Sequence, residues 1–268
     1  MLRQGNVEPY APRLALDATS VYLTNEHDQA NIWEILRIPR AGGAPVSVDS
    51  GASPYVDLAV DAQSIYWTEE AGGVVRKKPL SGGASVLLAA SGNSTTKAAF
   101  IAVNAVGVYW ATRFPAEGST SGTLDGAILT TSLDGGTPVT IARTVAKALA
   151  VSASNVYWIA DDAVFQVPIA GGTPTQLASK QDKPRFLTID ASHVYWTNEG
   201  SIWNSSGFYE GSVMRVAIGG GTPAAFARKQ DIAGPLALTG QGVYWAVSTP
   251  TPTVVRLARD VCQDGACH

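Results

Sequence analysis

Short apolar runs of four to six residues, separated by Gly, Asp, Ser and Thr, recur along the whole chain, and no helical spacing competes with them. The clearest run is Ile65-Tyr66-Trp67-Thr68. It returns as Val21-Tyr22-Leu23-Thr24, Val108-Tyr109-Trp110-Ala111, Val156-Tyr157-Trp158-Ile159, Val194-Tyr195-Trp196-Thr197 and Val243-Tyr244-Trp245-Ala246. Six copies of one strand mark a repeat protein. Before each copy stands a second apolar run: Leu14-Ala15-Leu16-Asp17, Leu58-Ala59-Val60-Asp61, Ile101-Ala102-Val103-Asn104, Leu149-Ala150-Val151-Ser152, Leu187-Thr188-Ile189-Asp190 and Leu236-Ala237-Leu238-Thr239. The Asp, Asn or Ser that ends most of these runs suits a hairpin turn, because its side chain bonds the backbone just ahead.

After each of the first five Tyr copies comes a Gly-Gly pair: Gly42-Gly43, Gly82-Gly83, Gly135-Gly136, Gly171-Gly172 and Gly220-Gly221. Gly-Gly supplies the positive φ of a tight hairpin. A Pro soon follows at 45, 138, 174 and 223 and is expected to open the next strand. Each unit therefore predicts four short antiparallel strands, as in a propeller blade. The expected fold class is all-β: a six-bladed β-propeller of four antiparallel strands per blade. The expected blades are approximately 8–50, 51–92, 93–144, 145–180, 181–229 and 230–261, all in a single 1–268 domain, with a short Cys-containing tail over 262–268.

The sixth unit has no Gly-Gly pair and no fourth strand of its own. Met1-Leu2-Arg3-Gln4 aligns with the run before Leu187, so residues 1–7 are expected to pair into the last blade and close the ring; the tail from Cys262 is the alternative. A chain that starts inside a strand fits a piece of a longer protein.

Spacing locates the variable side. From each Gly-Gly pair to the next Tyr the step is 22 to 27 residues; from Tyr to the next Gly-Gly it runs from 14 to 26. The variation falls between the second and third strands, and function in such scaffolds sits on elaborated loops.

Composition narrows the classes. A formal charge of −3 gives no basic footprint, so no nucleic acid is expected. No apolar run has the length to span a bilayer, so no membrane insertion is expected. The small polar content suits a secreted, periplasmic or cell-surface protein of bacterial style; a signal peptide is not visible at residue 1. Cys262 and Cys267 have the spacing of a small disulfide loop in an oxidising compartment, or are two idle thiols. With His268 they also read as a variant haem-attachment spacing, which nothing else in the sequence supports.

Ile65-Tyr66-Trp67-Thr68 and Val194-Tyr195-Trp196-Thr197 resemble the YWTD-type repeats of six-bladed propellers such as those of lipoprotein-receptor ectodomains. The Gly-Gly-Thr-Pro turns resemble TolB-like bacterial repeats. The position of the motif's Asp holds Asn25, Glu69 and Asn198 here, so that residue's contacts do not transfer. The resemblance implies a binding protein and not an enzyme.

Two candidate sites follow. The longest strand-two-to-three connections, Arg113 to Asp125 and Asn198 to Gly211, flank a short one at Asp161-Asp162. They are expected to form a cleft of Arg113, Phe114, Glu117, Asp161, Asp162, Trp203, Phe208 and Tyr209, suited to a protein, peptide or glycan. The alternative is two solvated loops. The second site is the mouth of the central channel, where Arg13, Asp57, Lys97, Lys147 and Arg185 begin the first strands. A metal-dependent hydrolase or lactonase acting there is the alternative function, although a mostly basic ring disfavours a hard cation. No catalytic residue, no metal ligand and no cofactor is assigned. Glu26, His27 and Asp28 are three polar neighbours read as a solvated loop, His193 is read as a turn residue, and the Tyr-Trp pairs are read as blade packing rather than carbohydrate platforms. Asn93-Ser94-Thr95 and Asn204-Ser205-Ser206 match the glycosylation pattern.

Overall fold

Alternation along a strand decides how these sheets stack. Adjacent residues point to opposite faces, so in a Val-Tyr-Trp-Thr run the Tyr and Thr share one face and the Val and Trp share the other. The computed structural model describes residues 13–27, 32–70, 72–90, 96–115, 124–201, 210–230, 233–247 and 253–258. Among them are twenty-three strands in six antiparallel sheets, five of four strands and one of three, each running in chain order, and no helix. The fold class is the expected all-β six-bladed propeller. The pairing of residues 1–7 with the last blade, the tail alternative and Cys262 and Cys267 lie outside the described residues.

The chain divides into two compact units, 1–143 and 144–268, with three blades in each. In the first unit the blades are Leu14–Leu16, Ser20–His27, Ile32–Pro39 and Val46–Gly51; then Tyr55–Val60, Ser64–Glu69, Val74–Pro79 and Val86–Ala90; then Lys97–Val103, Gly107–Pro115, Leu124–Ser132 and Val139–Arg143. The core lies between blades. Tyr22, Ala15 and Ile35 of blade one pack with Leu58, Ile65 and Trp67 of blade two. Tyr66, Val75 and Leu88 of blade two pack with Ile101, Val108 and Trp110 of blade three. Each layer is therefore a Tyr from one blade meeting a Trp from the next. All four of these Tyr and Trp side chains are at most 1% exposed, which makes the aromatic pairs packing elements and not carbohydrate platforms.

The second unit repeats the rule. Its blades are Ala148–Val151, Asn155–Ala160, Ala163–Pro168 and Thr175–Ala178; then Pro184–Ile189, His193–Asn198, Gly211–Ala217 and Ala224–Gln230; then Ala233–Thr239, Gly242–Val247 and Thr253–Leu257. Tyr157 of blade four packs with Val194 and Trp196 of blade five. Tyr195 of blade five packs with Val243 and Trp245 of blade six, and Phe226 meets both rings edge-on.

Two turn types are set by sequence. All five Gly-Gly pairs have positive φ, from 88° to 136°, where a side chain would be strained. The prolines after them do not open strands as expected; Pro45, Pro138, Pro174 and Pro223 each stand one residue before the strand, where no ladder amide is lost. The residue ending the first strand caps the other turn. Asp17 Oδ1 accepts from the Thr19 and Ser20 amides at 2.6 and 2.7 Å, and Asp61 Oδ1 from Gln63 and Ser64 at 2.7 Å each. Asn104 and Asp190 bond the same way, and Ser152 does so with its shorter hydroxyl.

The second carboxylate oxygen ties the turn to the core. The hydroxyls of Tyr22, Tyr66 and Tyr195 donate to Asp17, Asp61 and Asp190 at 2.8, 2.8 and 3.2 Å. Burial and the bond to Asp61 both raise the pKa of Tyr66. Burial pulls Asp17 upward, but the Thr19 and Ser20 amides and the Tyr22 hydroxyl together bring it down to about 2. In blade four Ser152 has no second oxygen, and the buried Tyr157 hydroxyl has no partner among the described residues.

A feature not legible in the repeat is a bulge in the outer strand of all five four-stranded blades. The register shifts opposite Ile35/Leu36, Val75/Arg76, Ile128/Leu129, Val164/Phe165 and Val213/Met214. The extra residues include Leu88, Leu177 and Phe226, all buried, so the bulge turns an edge-strand side chain into the interblade layer.

The Asp–Tyr tie predicts a gain. Ser152→Asp should give the Tyr157 hydroxyl its missing acceptor and stabilise the chain by about 1 kcal/mol. Thermal melting should show a rise of about 2–4 °C; an unchanged or lowered midpoint would mean that the tie contributes nothing.

Candidate functional site

Five of the six first strands carry a charged residue at or near their start, and the structure shows what each one meets. In the first unit, the Arg13 amide donates to Thr24 Oγ1 at 2.9 Å, and its guanidinium lies 5.7 Å from the Phe100 ring centre. Arg13 comes from blade one and Phe100 from blade three. Asp57 of blade two sits with them: its Oδ2 accepts from the Ile101 amide of blade three at 3.0 Å, and Arg13 acts on it electrostatically. The three blades of this unit therefore converge on Arg13, Asp57 and Phe100. Sequence reasoning singled out the first two and missed Phe100, which the repeat places in an ordinary first-strand position.

Burial dominates the chemistry of Asp57. It pushes the carboxyl from 3.8 up to about 6, against the opposing pull of the Ile101 amide, Arg13 and the Leu58 amide. A single carboxyl near neutrality next to one Arg can exchange a proton or hold an interblade register. It is the one acid among the five channel-mouth candidates.

The basic candidates are engaged. Lys97 Nζ is 2.6 Å from Glu70 Oε1, a residue of the preceding blade. In the second unit Lys147 Nζ donates to the Asp161 carbonyl at 2.8 Å, and Arg185 pairs with Glu199. Two of the three therefore already have a carboxylate. Lys97, Lys147 and Arg185 are all exposed, where such pairs are worth little.

The motif positions behave differently in each blade. Glu69 accepts from Arg76 Nε at 2.6 Å within its own blade. Asn198 Nδ2 donates to Gln181 Oε1 of the previous blade at 3.1 Å and to Ser212 Oγ at 3.3 Å. Thr68 Oγ1 donates across blades to the Ala99 carbonyl at 2.8 Å. Gln181 also accepts the Trp196 indole N–H at 3.0 Å, and Gln230 accepts that of Trp245 at 2.9 Å. The residue at the same offset before Trp67 is Ala52, and the Trp67 Nε1 has no partner among the described residues.

The second-to-third-strand connections are as unequal as expected. In blade four Asp161 and Asp162 are the two residues of a tight hairpin between Ala160 and Ala163, both exposed, with Asp161 at φ 50°. They are turn residues and not a strand extension. In blade three the predicted loop is partly strand: Arg113, Phe114 and Pro115 pair with Gly126, Asp125 and Leu124, so the hairpin reaches outward as a ribbon. Arg113 is exposed on it. Glu117, Trp203, Phe208 and Tyr209 lie outside the described residues, as does the Phe114 side chain. Glu26 and His27 lie on the second strand of blade one rather than in a loop; Asp28 is outside the described residues. His193 opens a strand rather than sitting in a turn, and its Nδ1 is 2.8 Å from Ser192 Oγ. Burial and Arg215 lower its pKa. Among the described residues no group of three or more His, Cys, Asp or Glu could hold a metal ion.

No family model matches the sequence, and no curated protein does. Solved structures do match in fold. A chain in a crystal structure of a nidogen/laminin complex aligns at TM-score 0.63 and 16% identity, over 90% of this chain and 90% of that one. TolB from Acinetobacter baumannii aligns at TM-score 0.63 and 12% identity, over 91% of this chain and 62% of that one. An oligogalacturonate lyase in complex with manganese aligns at TM-score 0.65 and 10% identity, over 90% and 74%. The fold is thus that of the YWTD-type and TolB-type propellers that the repeats resemble. At these identities the likeness concerns the fold alone.

Asp57 gives a pH test. Its folded-state pKa lies above the ordinary value, so folding takes up a proton between about pH 4 and 6. The stability it contributes is fully present below pH 4 and is lost as pH rises through about 6, a change of up to about 3 kcal/mol. Urea unfolding from pH 4 to 7 should show this fall in the natural chain and not in Asp57→Asn. Identical pH profiles would mean that Asp57 is not buried against the Ile101 amide.

Proposed function

We propose that this chain is a non-enzymatic binding module that recognises a protein, peptide or glycan through the connections between its second and third strands. The observation behind this reading is where the structure concentrates its variation. First-to-second-strand turns are near copies of one hairpin capped by an Asp, Asn, Ser or Thr side chain, and the five described third-to-fourth-strand turns of one Gly-Gly hairpin. The second-to-third-strand connections range from the two residues Asp161-Asp162 to the segment between Asn198 and Gly211. A scaffold that holds two turn types constant and varies the third has one side free to specialise. Arg113 on the blade-three ribbon and Trp203, Phe208 and Tyr209 in the blade-five connection are the proposed contact residues, with Asp161 and Asp162 beside the latter in sequence order. The nidogen/laminin and TolB likenesses support protein interaction as the class. An extracytoplasmic setting belongs to the same proposal; among the described residues no helix is long and apolar enough to cross a membrane.

A second reading, a metal-dependent hydrolase or lactonase at the first-strand starts, draws on one observation: the raised pKa of Asp57. Against it stands the pairing of Glu70 and Glu199 with Lys97 and Arg185.

The binding reading is tested by peptide display and glycan arrays against the natural chain and a variant in which residues 199–210 are replaced by an Asp-Asp turn and Arg113 by Ala. Ligands that bind the natural chain at least ten-fold better than the variant, with both melting alike, are the expected result. Ligands indifferent to the replacement would overturn it. Melting after EDTA treatment, with and without added Mn2+ or Ca2+, should show no shift; a rise of several degrees would favour the hydrolase.

A further inference from the structure

The repeat provides its own control for an unusual groove in the first unit. In blades one and two the third-strand residue opposite the Tyr is a cation beside the Gly-Gly turn of the next blade. In blade two this is Lys77, paired in register with Tyr66. Its Nζ donates to the Leu133 carbonyl at 2.8 Å and lies 3.8 Å from Asp134 Oδ1, both in the turn of blade three. In blade one the equivalent is Arg37, opposite Tyr22. The turn it faces is Pro79-Leu80-Ser81-Gly82-Gly83, in which Ser81 stands where the other turn has Asp134. Arg37 has lost its acid, and its Nε is buried without a hydrogen-bond partner among the described residues.

A buried guanidinium N–H without an acceptor is costly, and a ligand that supplies a charged acceptor recovers that cost. Around Arg37 is a groove of about 300 Å3 between the third and fourth strands of blade one and the second and third strands and Gly-Gly turn of blade two. Lys78 stands in it too, its Nζ donating to the Val48 carbonyl freed by the bulge. No acid lines the groove. Val46, Val48, Ile65 and Leu80 give it an aliphatic wall, beside Tyr22, Ser47 and Ser81, and Val46 is 51% exposed. A Cβ built on Gly82 or Gly83 meets nothing within 4 Å, so the turn side is open.

We propose that this groove binds a small aliphatic carboxylate: the carboxylate on Arg37, with Lys78 adding charge, and the hydrocarbon against Val46, Val48 and Leu80. The fixed fork of Arg suits a carboxylate, and the aliphatic walls select against a bare anion. This site lies at the Gly-Gly end of the blades, away from the long connections, and does not depend on the binding reading given for them.

The test follows the Arg37 Nε–Hε and Gly82 and Gly83 amide signals by NMR during titration of the intact chain with hexanoate, hexanamide and inorganic phosphate. Hexanoate should shift these signals saturably, at least ten-fold more tightly than hexanamide or phosphate. N-acetyl-leucine presents the same carboxylate at a peptide end and should bind no tighter; tighter binding would make a chain terminus the ligand in place of a free acid. Arg37→Gln should weaken hexanoate at least ten-fold. Ser81→Asp supplies the missing acid, and should abolish binding while raising the melting temperature, which guards against misreading a folding defect in the Arg37 variant. No saturable shift, equal response to the amide, or full binding by Ser81→Asp would overturn the proposal.

Discussion

The burial of a Tyr from one blade against a Trp from the next is the contact on which the rest depends. A single four-stranded sheet cannot bury both of its faces, and here each face carries one half of an aromatic pair. Because Tyr and Trp are neighbours on one strand, they serve two different layers. Tyr66 belongs to the layer shared with Trp110, and Trp67 to the layer shared with Tyr22. Such stacking makes each blade a structural intermediary between its neighbours, as in other repeat arrays.

Polar groups follow from that burial. A Tyr deep between sheets still needs a partner for its hydroxyl, and the turn Asp supplies one where it is present. An indole N–H needs an acceptor, and Gln181 and Gln230 supply it for Trp196 and Trp245. Where the repeat has drifted, the deficits are local: Tyr157 beside Ser152, Trp67 after Ala52, Arg37 facing Ser81. A deficit inside a layer costs stability. A deficit opening onto a groove offers a ligand something to do, and Arg37 is of the second kind.

Much of the fold was legible because it obeys short periods. The Asp-capped turn, the positive-φ glycines and the alternation of the Tyr-Trp strand are each set by two or three residues, and all occur where the sequence puts them. The bulge in the outer strands was not legible, because it depends on which edge residue the layer has room for; Leu88, Leu177 and Phe226 carry no local mark of it. The site was less legible than the fold for a related reason. Asp57 and Arg13 could be named from repeat position, but their meeting with Phe100 needs three blades to come together. Arg37 carries no mark of its own in the repeat; only comparison with Lys77 and its Asp134 shows what is missing. Asp161 and Asp162 were legible as the short second-to-third-strand connection of blade four, and they form it as a two-residue hairpin.

The most direct test of the central claim is a pair of double-mutant cycles by urea unfolding. Tyr66→Leu with Trp110→Leu crosses a layer; Tyr66→Leu with Trp67→Leu joins sequence neighbours on opposite faces. The account predicts a coupling energy of about 1 kcal/mol or more for the first pair and additivity within about 0.5 kcal/mol for the second. Strong coupling between Tyr66 and Trp67, with none between Tyr66 and Trp110, would contradict it.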